Sequence, residues 1–132
     1  MDIQERAHEW TKYYPRTLCP FTSIPIGRMW EIMELAENSP PGCLVQIGTK
    51  WGGSAWMLSA IASLHERKLY LCGPFGETTA EEMSKSVPVG EIITNPQDIP
   101  EPIAFALLRE PCEEIDTLMV SGGVIVNEQI RG

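Results

Sequence analysis

Between positions 2 and 14 the apolar residues Ile3, Ala7, Trp10 and Tyr14 recur at the spacing of one helical face, and Pro15 stops the pattern. After a linker holding Pro20 and Pro25, the residues Ile26, Met29, Trp30, Met33 and Ala36 trace the face of a second helix. The run Asn38-Ser39-Pro40-Pro41-Gly42 ends it. From here the period changes, and short apolar runs alternate with helical ones. CLVQIGT (43–49) predicts a buried strand, SAWMLSAIASLHER (54–67) a helix, KLYLC (68–72) a second strand and GEIIT (90–94) a third. Thr78 and Glu81 have capping-box spacing, which predicts a short helix over 79–87.

Beyond NPQDIPEP, the run IAFALL (103–108) predicts a fourth strand. Pro111 suits the first turn of a helix with Ile115, Leu118 and Met119 as its apolar face, and Gly122-Gly123 is expected to end that helix. VIVNEQI (124–130) predicts a fifth strand. Alternating strands and helices build βαβ units with right-handed crossovers. The expected fold is therefore α/β: a Rossmann-like, doubly wound parallel sheet of about five strands in the order 3-2-1-4-5, preceded by two helices. It would be one domain over 1–132, with a helical segment at 1–39 and the sheet-bearing core at 40–131.

Composition narrows the function. Ten basic residues against eighteen acidic ones give a net charge of -8, and the basic ones are spread along the chain, so nucleic acid is not an expected partner. The longest apolar run, IAFALL, is too short to span a bilayer, so no membrane association is expected. The start MDIQERAHEW lacks the basic and apolar regions of a secretory signal. Cys19, Cys43, Cys72 and Cys112 are far apart with no CxxC spacing, which predicts reduced thiols in a cytoplasmic protein rather than a disulfide framework or zinc site.

The segment PGCLVQIGTKWGGSAWML carries the candidate chemistry. A strand runs into a turn with Gly48, Gly52 and Gly53 before a helix starting near Ser54. Gly48 permits a sharp turn, Gly52 and Gly53 permit close approach of a ligand, and the first amides of the helix favour a negative group. The same glycines also serve a strand-to-helix turn that binds nothing. The spacing GxxxGGS is not the GxGxxG fingerprint, which disfavours nicotinamide cofactors.

This stretch resembles motif I of the class I S-adenosylmethionine-dependent methyltransferases, in particular the small-molecule O-methyltransferase group that includes macrocin O-methyltransferase and cephalosporin hydroxylase-like proteins. LYLCGPFGE (69–77) is similar to that family's second strand and the turn after it, and EEIDTLMVSGGVIVNEQ (113–129) to its fourth helix and fifth strand. The resemblance covers roughly 40–131. It implies S-adenosylmethionine as cofactor, held by Gln46, Gly48, Gly52, Gly53 and Ser54, and methyl transfer to a hydroxyl of a small molecule.

The chain departs from that pattern at the strand ends. Gln46 stands where the family's first strand carries an acid, Gly73 where the second presents the ribose acceptor, and Arg109 or Glu110 where the fourth presents an Asp. Asn127 and Glu128 replace an acidic pair. A hydrogen bond to a charged partner is worth about 1.5–3 kcal/mol, so loss of the ribose acceptor weakens such a cofactor by one or two orders of magnitude. Asp98, after the third strand, is the nearest alternative acceptor.

Arg109 is expected either to pair with Glu110 or Glu113 or to clamp an anionic substrate. Glu128 is either a solvated carboxylate or a substrate contact, and no metal site is expected. His8 and His65 fall away from the strand ends, and Trp10, Trp30 and Trp56 lie on helical faces; Trp51 occupies the glycine turn. The family usually continues into a helix and a strand hairpin beyond this point, which leaves 124–130, from Val124 to Ile130, as an apolar edge and predicts a homodimer that buries it. Two functions follow: a methyltransferase, or a degenerate relative serving as a ligand-binding module or subunit of a complex.

Overall fold

A computed structural model of the protein describes residues 24–49, 53–73 and 90–129. The helices expected over 2–14 and 79–87, and Lys50, Trp51, Gly52 and Ile130, lie outside the described residues. The elements are α1 (Ile26–Glu37), β1 (Cys43–Ile47), α2 (Gly53–Leu64), β2 (Leu69–Cys72), β3 (Gly90–Ile92), a 3-10 turn (Pro96–Asp98), β4 (Ile103–Leu108), α3 (Ile115–Leu118) and β5 (Met119–Asn127). The strands form one sheet in the order β3-β2-β1-β4-β5, and every pairing is parallel. This is the Rossmann-like α/β architecture that the alternating pattern predicts.

Strands β1, β2 and β4 are buried at every position, as expected of parallel strands covered on both faces. Leu44, Leu69, Leu71, Phe105 and Leu107 belong to a cluster with Met29, Ile32 and Met33 of α1 and Leu58 and Ile61 of α2. Cys43, Val45, Ile47, Tyr70, Cys72, Ala106 and Leu108 form a second cluster, against which Ile99, Cys112 and Leu118 pack. Helix α2 is buried from Gly53 through Ala62, so its apolar residues surround it rather than forming one stripe.

Arg67 holds the amino end of the sheet. Its Nε donates to the Gly42 carbonyl at 2.8 Å, and its terminal nitrogens donate to Ala36 O (3.1 Å), Pro40 O (3.0 Å) and Ser39 Oγ (3.0 Å). Burial holds its pKa below the ordinary value, a cost that these four bonds offset. The expected helix over 54–67 ends at Leu64, and Glu66 takes a left-handed φ of 52°. That break frees Arg67 to reach back to the 39–42 turn.

The fifth strand corrects the sequence expectation. It begins at Met119, not Val124, and Gly122-Gly123 lies inside it rather than ending a helix. Helix α3 is only four residues long, and Pro111 precedes it in a loop. Ile103 pairs with Met119 and Phe105 with Val124, so three extra residues of β5 bulge out of the ladder. Gly122 absorbs the bulge at φ 82°, and a Cβ on Gly123 would lie 3.1 Å from the Ala104 carbonyl oxygen. Glycine tolerates positive φ in a bulge as readily as at a helix end, which is why the pair was ambiguous.

Gly42 sits where β1 and β4 start side by side, at φ 144°, and a Cβ there would lie 2.7 Å from the Pro102 carbonyl oxygen and 2.9 Å from Ala104 Cβ. Gly42→Ala is expected to lower stability by about 1–3 kcal/mol in urea denaturation, because strain and overpacking act together. Gly122→Ala, whose added methyl meets open space, should cost only the left-handed penalty of roughly 1 kcal/mol.

Candidate functional site

In open α/β sheets the ligand crevice lies beyond the carboxyl ends of the strands. Here the ladder extends past the strands: Gly48 N donates to Cys72 O (2.9 Å), Arg109 N to Ile47 O (2.8 Å) and Glu128 N to Leu108 O (2.9 Å). These bonds bring Gly48, Gly73, Arg109, Glu110 and Glu128 to one edge. Gly48 turns the chain at φ 80°, and α2 begins at Gly53.

Gln46 is fully buried and ties the strand end to the helix start. Its Nε2 donates to Gly48 O at 3.1 Å and to Ser54 Oγ at 2.9 Å. A backbone carbonyl only accepts, so the amide nitrogen must face it and the amide oxygen must face away. That oxygen, Gln46 Oε1, is buried with no hydrogen-bond partner, and so is Thr49 Oγ1. Thr49 is 2% exposed and Ser54 3%. Leaving a buried polar group unsatisfied costs about 1–3 kcal/mol, and two such atoms stand at one turn.

Of the residues expected to contact substrate, Arg109 is 8% exposed. Burial lowers its pKa, while Glu128 and then Glu110 pull it back up. Its Cβ lies against Gly48. Glu128 is half-buried and paired: Arg28 Nε of α1 donates to its Oε1 at 2.6 Å, with Arg28 also bonded to Glu31 at 3.0 Å. Glu128 therefore ties α1 to the end of β5. Asn127 accepts from Gln129 Nε2 at 2.6 Å, and both are exposed.

A crevice of about 600 Å³ opens on the opposite face of this edge, with Ile47, Cys72, Gly73, Asn95, Cys112 and Glu114 among its walls. Asp98, the alternative acceptor, is exposed within the 3-10 turn, where Asn95 Oδ1 accepts from Gln97 N at 3.0 Å. Among the described residues, Glu113 and Glu114 are the carboxylates that line this crevice together with Gly73. Burial pushes the Cys72 thiol up to about 12, and a hydrogen bond toward Glu114 adds to burial in raising Cys112. Both thiols are protonated at neutral pH and are poor nucleophiles. His65 is exposed and 2.9 Å from Glu37, at the far end of the fold. Among the described residues no three or more His, Cys, Asp or Glu side chains are placed to hold a metal ion.

One residue of this edge, Thr49, was missed in the sequence. Glu110, expected there beside Arg109 at the end of the fourth strand, lies over Gly48: a Cβ on the glycine would be 2.5 Å from its Cγ. Thr49 follows Gly48 directly and so stood within the motif, but only its burial reveals that its hydroxyl lacks a partner. No family model matches the chain, and a search of curated proteins finds no match to it.

Buried groups with raised pKa values set the alkaline limit of the fold. Cys43 and Cys72 are each held at about 12 by burial, and Tyr70, buried and donating to Glu101 at 3.1 Å, is also at about 12. The unfolded chain releases these protons from about pH 9 upward while the folded chain keeps them, so folding stability is full below that pH and falls as pH rises toward 12. Urea midpoints measured from pH 7 to pH 10.5 should decline above pH 9, and Cys72→Ala should flatten the decline.

Proposed function

We propose that this chain is a degenerate relative of the class I S-adenosylmethionine-dependent methyltransferases that works as a small-molecule-binding module, taking S-adenosylmethionine or S-adenosylhomocysteine at the β1–α2 turn. The observation that carries this reading is the pair of buried, partnerless oxygens, Gln46 Oε1 and Thr49 Oγ1, beside a glycine turn at the carboxyl edge of a parallel sheet in 3-2-1-4-5 order. A turn serving geometry alone gains nothing from those two atoms.

The residues suit one end of the ligand. Gln46, Gly48, Gly53 and Ser54, with Gly52 outside the described residues, would hold its polar amino-acid end. The ribose finds no acid at the end of β2, where Gly73 follows Cys72, and Asp98 lies exposed in the 3-10 turn. Glu128 is not free to act as a general base, since Arg28 binds it, and the Cys72 and Cys112 thiols are protonated. We therefore derive no methyl-transfer step. The reading as an O-methyltransferase draws its support from the crevice of about 600 Å³, which has room for an acceptor molecule. Arg109 and Glu128, expected as substrate contacts, stand at the same carboxyl edge but not among the residues lining this crevice.

The test separates binding from folding. Thr49→Val removes an unsatisfied hydroxyl, so it should raise the thermal midpoint while weakening S-adenosylhomocysteine about tenfold in calorimetric titration. No heat from the folded wild-type protein with either nucleoside would remove the ligand assignment. Methyl transfer to a hydroxyl, in a screen of small catechol and sugar acceptors, would favour the enzyme instead.

A homodimer through the outer edge of β5 belongs to the same proposal. No charged residue interrupts Met119–Asn127, and Ile125 is an exposed large hydrophobic side chain at 36%. Light scattering should return twice the chain mass at tens of micromolar, and Ile125→Lys the single mass; a monomeric wild type would refute the pairing. Among the described residues no helix is long and apolar enough to cross a membrane, and free thiols at Cys43, Cys72 and Cys112 suit a reducing, cytoplasmic setting.

A further inference from the structure

We infer that Cys72 and Cys112 are a reversible disulfide site across the crevice between the end of β2 and the loop after β4, formed when the chain meets a low-molecular-weight disulfide such as glutathione disulfide. The crosslink does not depend on the ligand assigned above; its effect on binding rests on that reading. Cys72 is the last residue of β2 and lies level with Ile47, which lies level with Leu108 at the end of β4. Cys112 comes four residues after Leu108 and packs against the apolar cluster that holds Cys72, Ile47 and Leu108. The loop after β4 therefore folds back over that face of the sheet, and Ile47, Cys72 and Cys112 become walls of one crevice. Residues 109–114 belong to no helix or strand, so Cys112 can close on Cys72 without breaking an element. The bond requires Cβ atoms about 3.5–4.5 Å apart, and the approach is made by this loop.

Burial first, and then the charge of Cys112, raise the Cys72 thiol to about 12, which sets the two sulfurs within electrostatic reach of each other. Cys43 stands at the opposite end of the ladder, level with Ile103, and its thiol faces the Glu101 carbonyl. Cys72 is buried and Cys112 half-exposed, so the oxidant meets Cys112 first. The Cys112 thiolate, its proton lost to solvent, attacks one sulfur of glutathione disulfide and releases one glutathione. Cys72 then gives up its proton, attacks the Cys112 sulfur and releases the second. Two protein thiols are thereby oxidised to one disulfide, and one glutathione disulfide is reduced to two thiols. Thiols held protonated react slowly, but the same property favours the crosslink: glutathione, with an ordinary thiol pKa, is the better leaving group, and a disulfide whose thiolates are disfavoured resists reduction.

The four cysteines fall on separate tryptic peptides, 17–28, 29–50, 69–85 and 110–131. Treating the folded, reduced chain with glutathione disulfide in mildly alkaline buffer should remove two thiols per chain and join peptide 69–85 to 110–131, and dithiothreitol should reverse both changes. Cys112→Ser should abolish the joined pair, while Cys19→Ser leaves it. No crosslink, glutathione retained on Cys112, or Cys72 joined to Cys19 or Cys43 instead overturns the inference. In calorimetry the oxidised chain should bind S-adenosylhomocysteine at least about tenfold more weakly than the reduced chain, and equal affinity overturns the closure of the crevice. If the reduced chain binds none, the proposed function falls and the peptide map decides the crosslink by itself. Should Cys112→Ser fail to fold, the wild-type map decides.

Discussion

The parallel pairing of β1 between β2 and β4 is the constraint on which everything else in this fold depends. Strands buried on both faces can carry few polar side chains, and the buried polar residues on β1, β2 and β4 or just past their ends are Gln46 on β1, Thr49 two residues beyond it and Arg109 just past the end of β4. All three stand at the carboxyl edge. A parallel sheet delivers the ends of neighbouring strands to the same side, so Gln46 and Arg109, sixty-three positions apart, arrive beside one turn. The crossover rule then brings α2 back from that edge, and Ser54 arrives within 2.9 Å of Gln46.

Much of this was legible in the sequence because long apolar runs have few alternatives. IAFALL forms β4 over the full expected span, and β1 starts at the expected Cys43. The glycine turn was legible too, since Gly48 and Ser54 bracket a change of period from strand to helix. The fifth strand was less so. Glycine pairs suit both helix ends and bulges, and only the β4 ladder, with Phe105 opposite Val124, decides between them.

The remaining features depend on contacts that no local pattern encodes. Arg28 meets Glu128 across a hundred positions, and Arg67 meets the 39–42 turn once α2 has stopped short. The ion pair with Arg28 makes Glu128 a tie between α1 and β5. Composition shows a supply of charges, but not which of them find each other. Glu110 illustrates the same limit: its place above Gly48 follows from strand register, and register is set by the whole buried face.

An unsatisfied pair of polar atoms in a well-packed turn is a physical anomaly with a direction. Replacing Thr49 by an isosteric apolar residue would relieve a cost the fold carries for no structural return, and Gln46 needs only its amide nitrogen to join Gly48 and Ser54. Such a cost calls for a partner that meets the orphaned atoms, a bound ligand or a buried water among them. Gly73 and Asn127 bring no acidic side chain to the neighbouring strand ends, so the buried acceptors of this edge are those of Gln46 and Thr49, on either side of Gly48. Under the proposed reading, a donor-bearing small molecule settling there would remove the cost that the turn carries alone.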